Sequence, residues 1–189
     1  MNYSAGTPSP PREGPIRLLV HRVGNDHPKA CTGRRLLDRG LAQAPPRSPP
    51  RGVRPILLDP YAKTPISRAD ADAARRGGLL AIDCSWNQLA RTGHFGGAEG
   101  SGTPGGIHRR LPWLVAGNPQ HYGRLSELNT AEALAAGLYL LGETDRAADL
   151  LAGFPGGGSF FSINARALAE YASAADGDAV EDAERRLLA

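Results

Sequence analysis

Residues 79–86 read LLAIDCSW, and the first five of them have the character of a buried strand. A short, continuous apolar run is typical of a parallel strand that is covered on both faces. An aspartate ends the run, and a cysteine, a serine and a tryptophan follow it. The stretch therefore predicts a parallel strand that carries Asp83 and Trp86 at its carboxyl end.

The chain before this strand predicts strands and helices in alternation. Strands are expected at residues 16–23 and 56–58, which are short and aliphatic. Thr32 is the expected cap of a helix over about 33–42, with three leucines on its inner side: Leu36, Leu37 and Leu41. An alanine-rich helix follows Ser67, in a sequence close to a capping box, and ends at 77–78. This alternation is typical of an α/β fold with a parallel sheet.

The second half of the chain predicts helices. Residues 92–106 (TGHFGGAEGSGTPGG) are too rich in glycine for a regular element, because ordering glycine is entropically unfavourable. Asn129, with Glu132 three positions on, is the expected cap of a helix over 131–141. Further helices are expected at 147–154, 159–174 and 179–188. We predict a disordered leader at 1–15, an α/β domain at 16–110 and a helical domain at 111–189.

Composition excludes several classes of protein. The sequence has no run of eighteen or more apolar residues, so no membrane-spanning helix is expected. Two cysteines are too few for a disulfide framework and favour a reducing cytoplasm. The five histidines lack the usual metal-ligand spacings, so no metal site is predicted.

Basic side chains are concentrated in the N-terminal third, although the net charge of the whole chain is only +3. Seven of them lie between residues 29 and 54: Lys29, Arg34, Arg35, Arg39, Arg47, Arg51 and Arg54. Two interpretations are open. The residues form either a solvated basic face or a surface that contacts nucleic-acid phosphates.

Four stretches combine reactive or aromatic residues with residues that end strands and helices. Three follow predicted strands: 27–33 (HPKACTG), 58–60 (LDP) and 83–86 (DCSW). The fourth, 111–119 (LPWLVAGNP), lies beyond the glycine-rich segment. Ligands of open parallel sheets bind outside the carboxyl ends of the strands, so the first three stretches are expected to converge on one crevice.

In this order, the stretches resemble the motifs of the small-subunit rRNA aminocarboxypropyltransferase family. The matching motifs are H-P-K-x-C-T-G, D-C-S-W, L-P-x-L-V-A-x-N-P-x-x-Y-G, L-x-x-x-E-A-L-A-A-x-L and the late segment GGSFFSIN at 157–164. The resemblance covers about residues 21–171 and implies a SPOUT-like fold with a deep trefoil knot. It also implies a cytoplasmic monomer that acts on small-subunit rRNA or a pre-ribosomal particle.

The activity implied by the resemblance is transfer of the 3-amino-3-carboxypropyl (acp) group of S-adenosylmethionine, without a metal. The acceptor would be N3 of a uridine, a pseudouridine or an N1-methylpseudouridine, and methylthioadenosine would be released. Two alternatives remain open at this point. One is a SPOUT-type RNA methyltransferase, and the other is a non-catalytic ribosome-assembly factor that binds RNA.

The resemblance implies contacts between the donor and seven residues: Thr32, Leu58, Pro60, Trp86, Leu114, Asn129 and Thr130. Thr32 would hydrogen-bond the ribose, and Leu114 would bind the adenine edge through its backbone. Leu58 and Pro60 would line the methionine part together with Trp86, whose indole would cover the sulfonium. The last two residues open a capped helix, whose N–H groups and dipole suit the carboxylate of the transferred group.

Asp83 is the candidate catalytic residue, which would accept or orient the N3 proton of the acceptor base. An aspartate at a strand end is also a common helix cap, and that alternative stays open. Five basic residues are the candidates for RNA contacts: Lys29, Arg34, Arg35, Arg109 and Arg110. Trp113 and both cysteines, Cys31 and Cys84, are expected to be structural residues of the interior.

Overall fold

A computed structural model describes residues 14–23, 31–48, 50–84, 86 and 105–189. Within them, four strands form one parallel sheet in the order β1–β3–β2–β4. The strands are β1 (Leu18–Arg22), β2 (Ile56–Leu58), β3 (Leu79–Asp83) and β4 (Ile107–Arg109). The predicted α/β fold with a parallel sheet is confirmed.

Strand β3 is the most buried of the four, as its continuous apolar sequence predicts. All five of its residues are buried. Leu79 and Ala81 face the main hydrophobic core, whereas Leu80 and Ile82 belong to a smaller cluster on the opposite face. Since β1 and β2 pair with it on either side, β3 holds its terminal Asp83 in a fixed place.

Two helices lie among the first three strands. Helix α1 (Thr32–Asp38) is shorter than predicted, and its cap is Cys31 instead of Thr32, because the cysteine sulfur accepts the N–H of Arg34. Leu41 lies beyond the end of α1 and is 39% exposed, so its predicted inward position is wrong. A 3-10 turn (Arg68–Asp70) with the predicted capping box precedes α2 (Ala71–Gly77).

Five helices follow the sheet in the described part of the chain. They are α3 (Thr130–Leu140), α4 (Thr144–Ala152), α5 (Gly157–Ile163), α6 (Ala165–Ser173) and α7 (Gly177–Leu188). Asn129 caps α3 in a capping box with Glu132, as predicted. The single helix predicted at 159–174 is instead two. They are separated at Asn164, whose buried amide bonds the backbone of Val115.

Strand β4 was missed because its signal is weak. It has only three residues, none of them fully buried, and it pairs with β2 at an edge of the sheet. Three residues are too few for the alternation that identifies a half-buried strand. The assignment of 16–110 as the α/β part nevertheless contains all four described strands.

The main hydrophobic core crosses the predicted boundary at residue 110. It joins the sheet residues Leu79 and Ala81 to Leu134 of α3 and Leu168 of α6. Helix α3 lies so close to β3 that a Cβ at Gly137 would be 2.7 Å from Leu79 Cδ2. No helix in the described ranges is long and apolar enough to cross a membrane. The predicted leader up to residue 13, Lys29 and the glycine-rich residues 92–104 fall outside the described residues.

Candidate active site

The carboxylate of Asp83 lies at the centre of the site, where β3 ends. Its Oδ1 accepts hydrogen bonds from the backbone N–H of Gly33 at 3.2 Å and from Thr130 Oγ1 at 2.6 Å. Its Oδ2 accepts the thiol of Cys31 at 2.7 Å and lies 3.9 Å from Arg22 Nε. The side chain is 11% exposed, so only a small part of the carboxylate faces outward.

These contacts place Asp83 between the first turns of α1 and α3. The amino-terminal ends of helices carry unpaired N–H groups and a partial positive charge, which stabilise a nearby carboxylate. Helix α1 approaches so closely that a Cβ at Gly33 would lie 2.4 Å from Asp83 Cγ. Only glycine fits there, which explains the glycine of the C-T-G motif. The described parts of two predicted stretches, residues 31–33 and Asp83, are therefore in contact.

Cys31 is buried, as predicted for a structural residue of the interior, and it also makes two polar contacts that the sequence did not indicate. Its sulfur caps α1 by accepting the N–H of Arg34, while its thiol donates to Asp83. Burial, followed by the hydrogen bond to Asp83, raises the pKa of the Cys31 thiol, which therefore keeps its proton. The capping role of Cys31 could have been inferred from its position, because it immediately precedes Thr32, where the start of a helix was predicted.

Trp86 connects the end of β3 to the approach to α3. Its indole Nε1 donates to the carbonyl of Leu128 at 3.0 Å, and the residue is half-buried. Asn129 and Thr130, the first residues of α3, come directly after Leu128. The structure thus brings Thr32, Asp83, Trp86 and Thr130 to one edge of the sheet.

A second buried carboxylate, Glu132, holds the loop that follows β4. Its oxygens accept hydrogen bonds from Gly117 N at 2.9 Å, Asn118 Nδ2 at 2.6 Å and Asn129 N at 3.0 Å. The residue is only 2% exposed. One side chain therefore caps α3 and fixes the loop 114–118 beside it.

Leu114, expected to bind the adenine edge through its backbone, lies in the loop between β4 and α3. It is 0% exposed, and its carbonyl accepts the N–H of Ser126 at 2.8 Å. The structure places its side chain in the core, and its contact with adenine stays a prediction.

Leu58 and Pro60 lie at the carboxyl end of β2, the neighbour of β3. Leu58 is buried and Pro60 is exposed. Between them, Asp59 accepts a hydrogen bond from the backbone N–H of Tyr61 and pairs with His108 Nδ1 at 2.7 Å. The Asp59–His108 pair was not anticipated, because His108 belongs to the strand that the sequence did not reveal.

Known proteins with similar sequences identify the family. A family model described as "Ribosome biogenesis protein, C-terminal" matches residues 56–188. A 16S rRNA aminocarboxypropyltransferase of Methanosarcina mazei is 38% identical over 159 residues, which are 84% of this chain and 87% of that protein. The chain belongs to the small-subunit rRNA aminocarboxypropyltransferase family. An 18S rRNA aminocarboxypropyltransferase of Schizosaccharomyces pombe is 34% identical over 92% of this chain and 58% of its own length.

A solved structure from the same aminocarboxypropyltransferase family has a similar fold. It is the SAM-dependent rRNA acp-transferase Tsr3 from Vulcanisaeta distributa, which is 34% identical in sequence. The match has a TM-score of 0.72 and covers 92% of this chain and 96% of that chain. The likeness therefore extends over both the sheet and the helices.

Two of the arginines expected to contact RNA are engaged within the aminocarboxypropyltransferase chain itself. Arg109 Nε lies 3.1 Å from both carboxylate oxygens of the buried Asp70. Arg110 makes a two-pronged ion pair with Glu184 of α7, at 2.7 and 2.8 Å. Their guanidinium groups are thus neutralised by buried carboxylates, and we leave both out of the RNA surface.

The Arg110–Glu184 pair anchors the last helix of this family member. Glu184 also accepts the N–H of Trp113 at 3.0 Å, and burial raises the pKa of the neighbouring Tyr171 to about 12. Trp113 itself is 44% exposed, so its predicted place in the interior is wrong. The pairing fixes α7 against the loop after β4.

Arg34 and Arg35 remain on the surface of α1, with Arg39 just beyond the helix. The guanidinium carbons of Arg35 and Arg39 lie 4.9 and 5.2 Å from the centre of the Phe154 ring. Arg34 has a half-exposed side chain and pairs loosely with Asp38. Arg39 Nη1 already donates to the Gly153 carbonyl at 2.8 Å. Stacking on an aromatic ring orders an arginine and leaves its other N–H groups able to donate.

The residues at the end of β3 suit S-adenosylmethionine better than they suit a metal ion. A carboxylate and an indole at the end of one strand suit a sulfonium cation, and the start of α3 suits a carboxylate. Among the described residues, no three or more histidines, cysteines or carboxylates are grouped so that they could hold a metal ion.

Proposed function

We propose that this chain transfers the acp group of S-adenosylmethionine to N3 of a uridine-type base in small-subunit rRNA. The observation that carries the proposal is its 38% identity, over most of both chains, to a 16S rRNA aminocarboxypropyltransferase. The cluster around Asp83 supports it, because it combines an anionic group, an aromatic ring and a helix start at the end of a central strand. Uridine, pseudouridine and N1-methylpseudouridine all present the same N3 atom.

The reaction forms one bond and breaks another. N3 attacks the carbon next to the sulfonium, the carbon–sulfur bond breaks, and methylthioadenosine leaves with the bonding electrons while the N3 proton passes to water. The donor supplies a good leaving group, so the protein contributes chiefly by positioning the two reactants. We propose that Asp83 acts there by orienting the base. Both of its oxygens already accept hydrogen bonds, which disfavours simple proton abstraction.

The remaining donor contacts are assigned by position at the carboxyl edge of the sheet. We propose that Thr32 binds the ribose and that Leu58, Pro60 and Trp86 enclose the methionine part. We assign the carboxylate of the acp group to Asn129 and Thr130. The N–H groups of Asn129 and Glu132 are bonded within the capping box. The N–H groups that α3 offers a carboxylate are therefore those of Thr130 and Ala131 in its first turn.

The rRNA surface is proposed to lie on α1, beside the donor site. Arg34 and Arg35 belong to it, and the adjacent Arg39 extends it. Lys29, which lies outside the described residues, is proposed as an RNA contact from its place in the sequence alone. Arginines that stack on an aromatic ring and keep their N–H groups available are suited to phosphate oxygens. Because α1 also contacts Asp83, RNA bound to this surface would have its target base close to the carboxylate.

The decisive experiment follows the fate of two labels. Purified protein is incubated with small-subunit rRNA and with S-adenosylmethionine labelled at either the carboxyl carbon or the methyl carbon. Carboxyl label in the RNA and no methyl label is the expected result. Methyl label alone would identify an RNA methyltransferase. No label in the RNA and no donor binding by calorimetry would favour a non-catalytic assembly factor.

Trp86→Ala is expected to weaken binding of S-adenosylmethionine by about tenfold. The change removes a cation–aromatic contact of about 1–2 kcal/mol. It also removes the hydrogen bond to the Leu128 carbonyl that positions the start of α3. Trp86→Phe keeps an aromatic face but loses the N–H and the second ring of the indole, so it should bind with an intermediate affinity. Calorimetric affinities equal to wild type in both variants would remove Trp86 from the site.

We propose three further properties on the basis of family membership. The chain is SPOUT-like with a deep trefoil knot, it works as a monomer, and it acts in the cytoplasm on a pre-ribosomal particle. The division at residue 110 into an α/β and a helical domain belongs with these proposals. Support comes from the fold shared with the rRNA acp-transferase of Vulcanisaeta distributa.

A further inference from the structure

We infer that Cys31 is a positioning residue for acp transfer, acting through the carboxylate of Asp83. The inference rests on the proposed function and adds a role for a side chain that the reaction itself does not use. Its basis is a buried contact in which the Cys31 thiol donates to Asp83 Oδ2 at 2.7 Å. Among the described residues, this is the one uncharged donor on that oxygen.

The two oxygens of Asp83 are held by different parts of the molecule. Oδ1 is held twice, by the N–H of Gly33 and by the hydroxyl of Thr130, so it connects α1 to α3. Oδ2 is held by the thiol, with Arg22 farther away at 3.9 Å. Rotation about the Cβ–Cγ bond moves both oxygens together, so the contacts on Oδ1 and the thiol on Oδ2 jointly fix the plane of the carboxylate. Cys31 therefore restricts the direction in which Oδ2 points beyond what the Oδ1 contacts achieve.

Cys31 is itself fixed in two ways, which a positioning role requires. It is buried, and its sulfur accepts the N–H of Arg34 at the cap of α1. Its thiol keeps its proton, because burial and the nearby carboxylate both disfavour the thiolate. A protonated sulfur that accepts from a helix N–H and donates to a carboxylate is constrained at both ends.

The two roles of Cys31, capping and positioning, have different signatures. Loss of a cap lowers the stability of α1 and so reduces the folded fraction. Loss of the hold on Oδ2 lowers turnover by the folded enzyme. The contacts of Oδ1 join the two helices where we place the donor, and they persist without the thiol. Binding of S-adenosylmethionine should therefore change little.

The test compares Cys31→Ala with Cys31→Ser. For Cys31→Ala we expect kcat to fall by roughly tenfold, the loss that accompanies removal of a hydrogen bond to a charged group. The calorimetric Kd for S-adenosylmethionine should stay within about threefold of wild type on the same reasoning. Serine keeps both a donor and a cap, so Cys31→Ser should restore most of kcat. Carboxyl-label transfer to rRNA is the assay.

A stability control separates positioning from folding. Leu37→Ala removes packing from the same helix without touching Asp83, and its melting temperature should fall while the kcat of the folded protein stays unchanged. Cys31→Val serves as a second variant without a donor, should the alanine variant not fold. Wild-type kcat in a folded variant without a donor, or failure of serine to restore turnover, would overturn the inference. If wild-type protein transfers no carboxyl label, the proposed function fails and takes the inference with it.

Discussion

Asp83→Ala is expected to reduce acp transfer by about 100-fold, the loss that misplacing a reactant by about 1 Å can cause. It should also weaken binding of S-adenosylmethionine, a result that the sequence did not suggest. The reason is that Asp83 Oδ1 joins the first turns of α1 and α3, where we place the ribose and carboxylate contacts. Label transfer and calorimetry measure the two effects separately.

Asp83→Asn distinguishes orientation of the base from proton abstraction. An asparagine can keep the two hydrogen bonds at Oδ1, and its amide can donate to the sulfur of Cys31, so the variant should fold. If Asp83 only orients the base, Asp83→Asn should retain clearly more turnover than Asp83→Ala. Equal, complete loss in both variants would indicate a base. Asp72→Ala, which removes an exposed aspartate on α2, is the control and should behave as wild type.

Replacement of Glu132 is expected to have the largest effect on stability. Glu132→Ala should lower the free energy of unfolding by about 3 kcal/mol or more, because each buried donor left unpaired costs about 1–3 kcal/mol. The donors concerned are Gly117 N, Asn118 Nδ2 and Asn129 N. Urea unfolding followed by circular dichroism gives the value.

Two further variants make the Glu132 result specific. Glu132→Gln keeps the shape but turns an amide N–H₂ toward groups that are all donors, so it too should be strongly destabilised. Glu170→Ala removes a glutamate of α6 whose ion pair with Arg186, at 3.5 Å, lies on the surface. Its expected effect is below about 1 kcal/mol. A Glu132→Ala protein as stable as Glu170→Ala would contradict the role assigned to the buried carboxylate.

Features of the fold that depend on neighbouring residues could be predicted from the sequence. The apolar run 79–82 identified the central strand, and Asn129 with Glu132 identified the start of α3, because both signals lie within a few positions. The break between α5 and α6 could not be predicted in this way. It depends on Asn164 bonding Val115, which is 49 residues away in the chain.

In the candidate site too, residues marked by their neighbours in the sequence could be predicted, and those defined by distant contacts could not. Asp83 and Trp86 stood out at a strand end, whereas Cys31 did not, because its function depends on a carboxylate 52 residues away. Arg109 and Arg110 were predicted to contact RNA because two adjacent basic residues are typical of a phosphate-binding surface. Their carboxylates, Asp70 and Glu184, are distant in sequence and visible only in the structure. A count of basic residues in the sequence therefore overestimates the number of cationic side chains that are available to bind a ligand.

The strand order β1–β3–β2–β4 has a consequence for how the protein acquires its activity during folding. Strand β3 lies between two strands that both precede it in the chain, so its pairings close long loops. The bonds of Asp83 to Gly33 and Thr130 span 50 and 47 residues. Contacts between residues so far apart in the chain require a long loop to close before they can stabilise the fold. No local segment of the chain therefore contains the cluster around Asp83, which exists only once β3, α1 and α3 have come together.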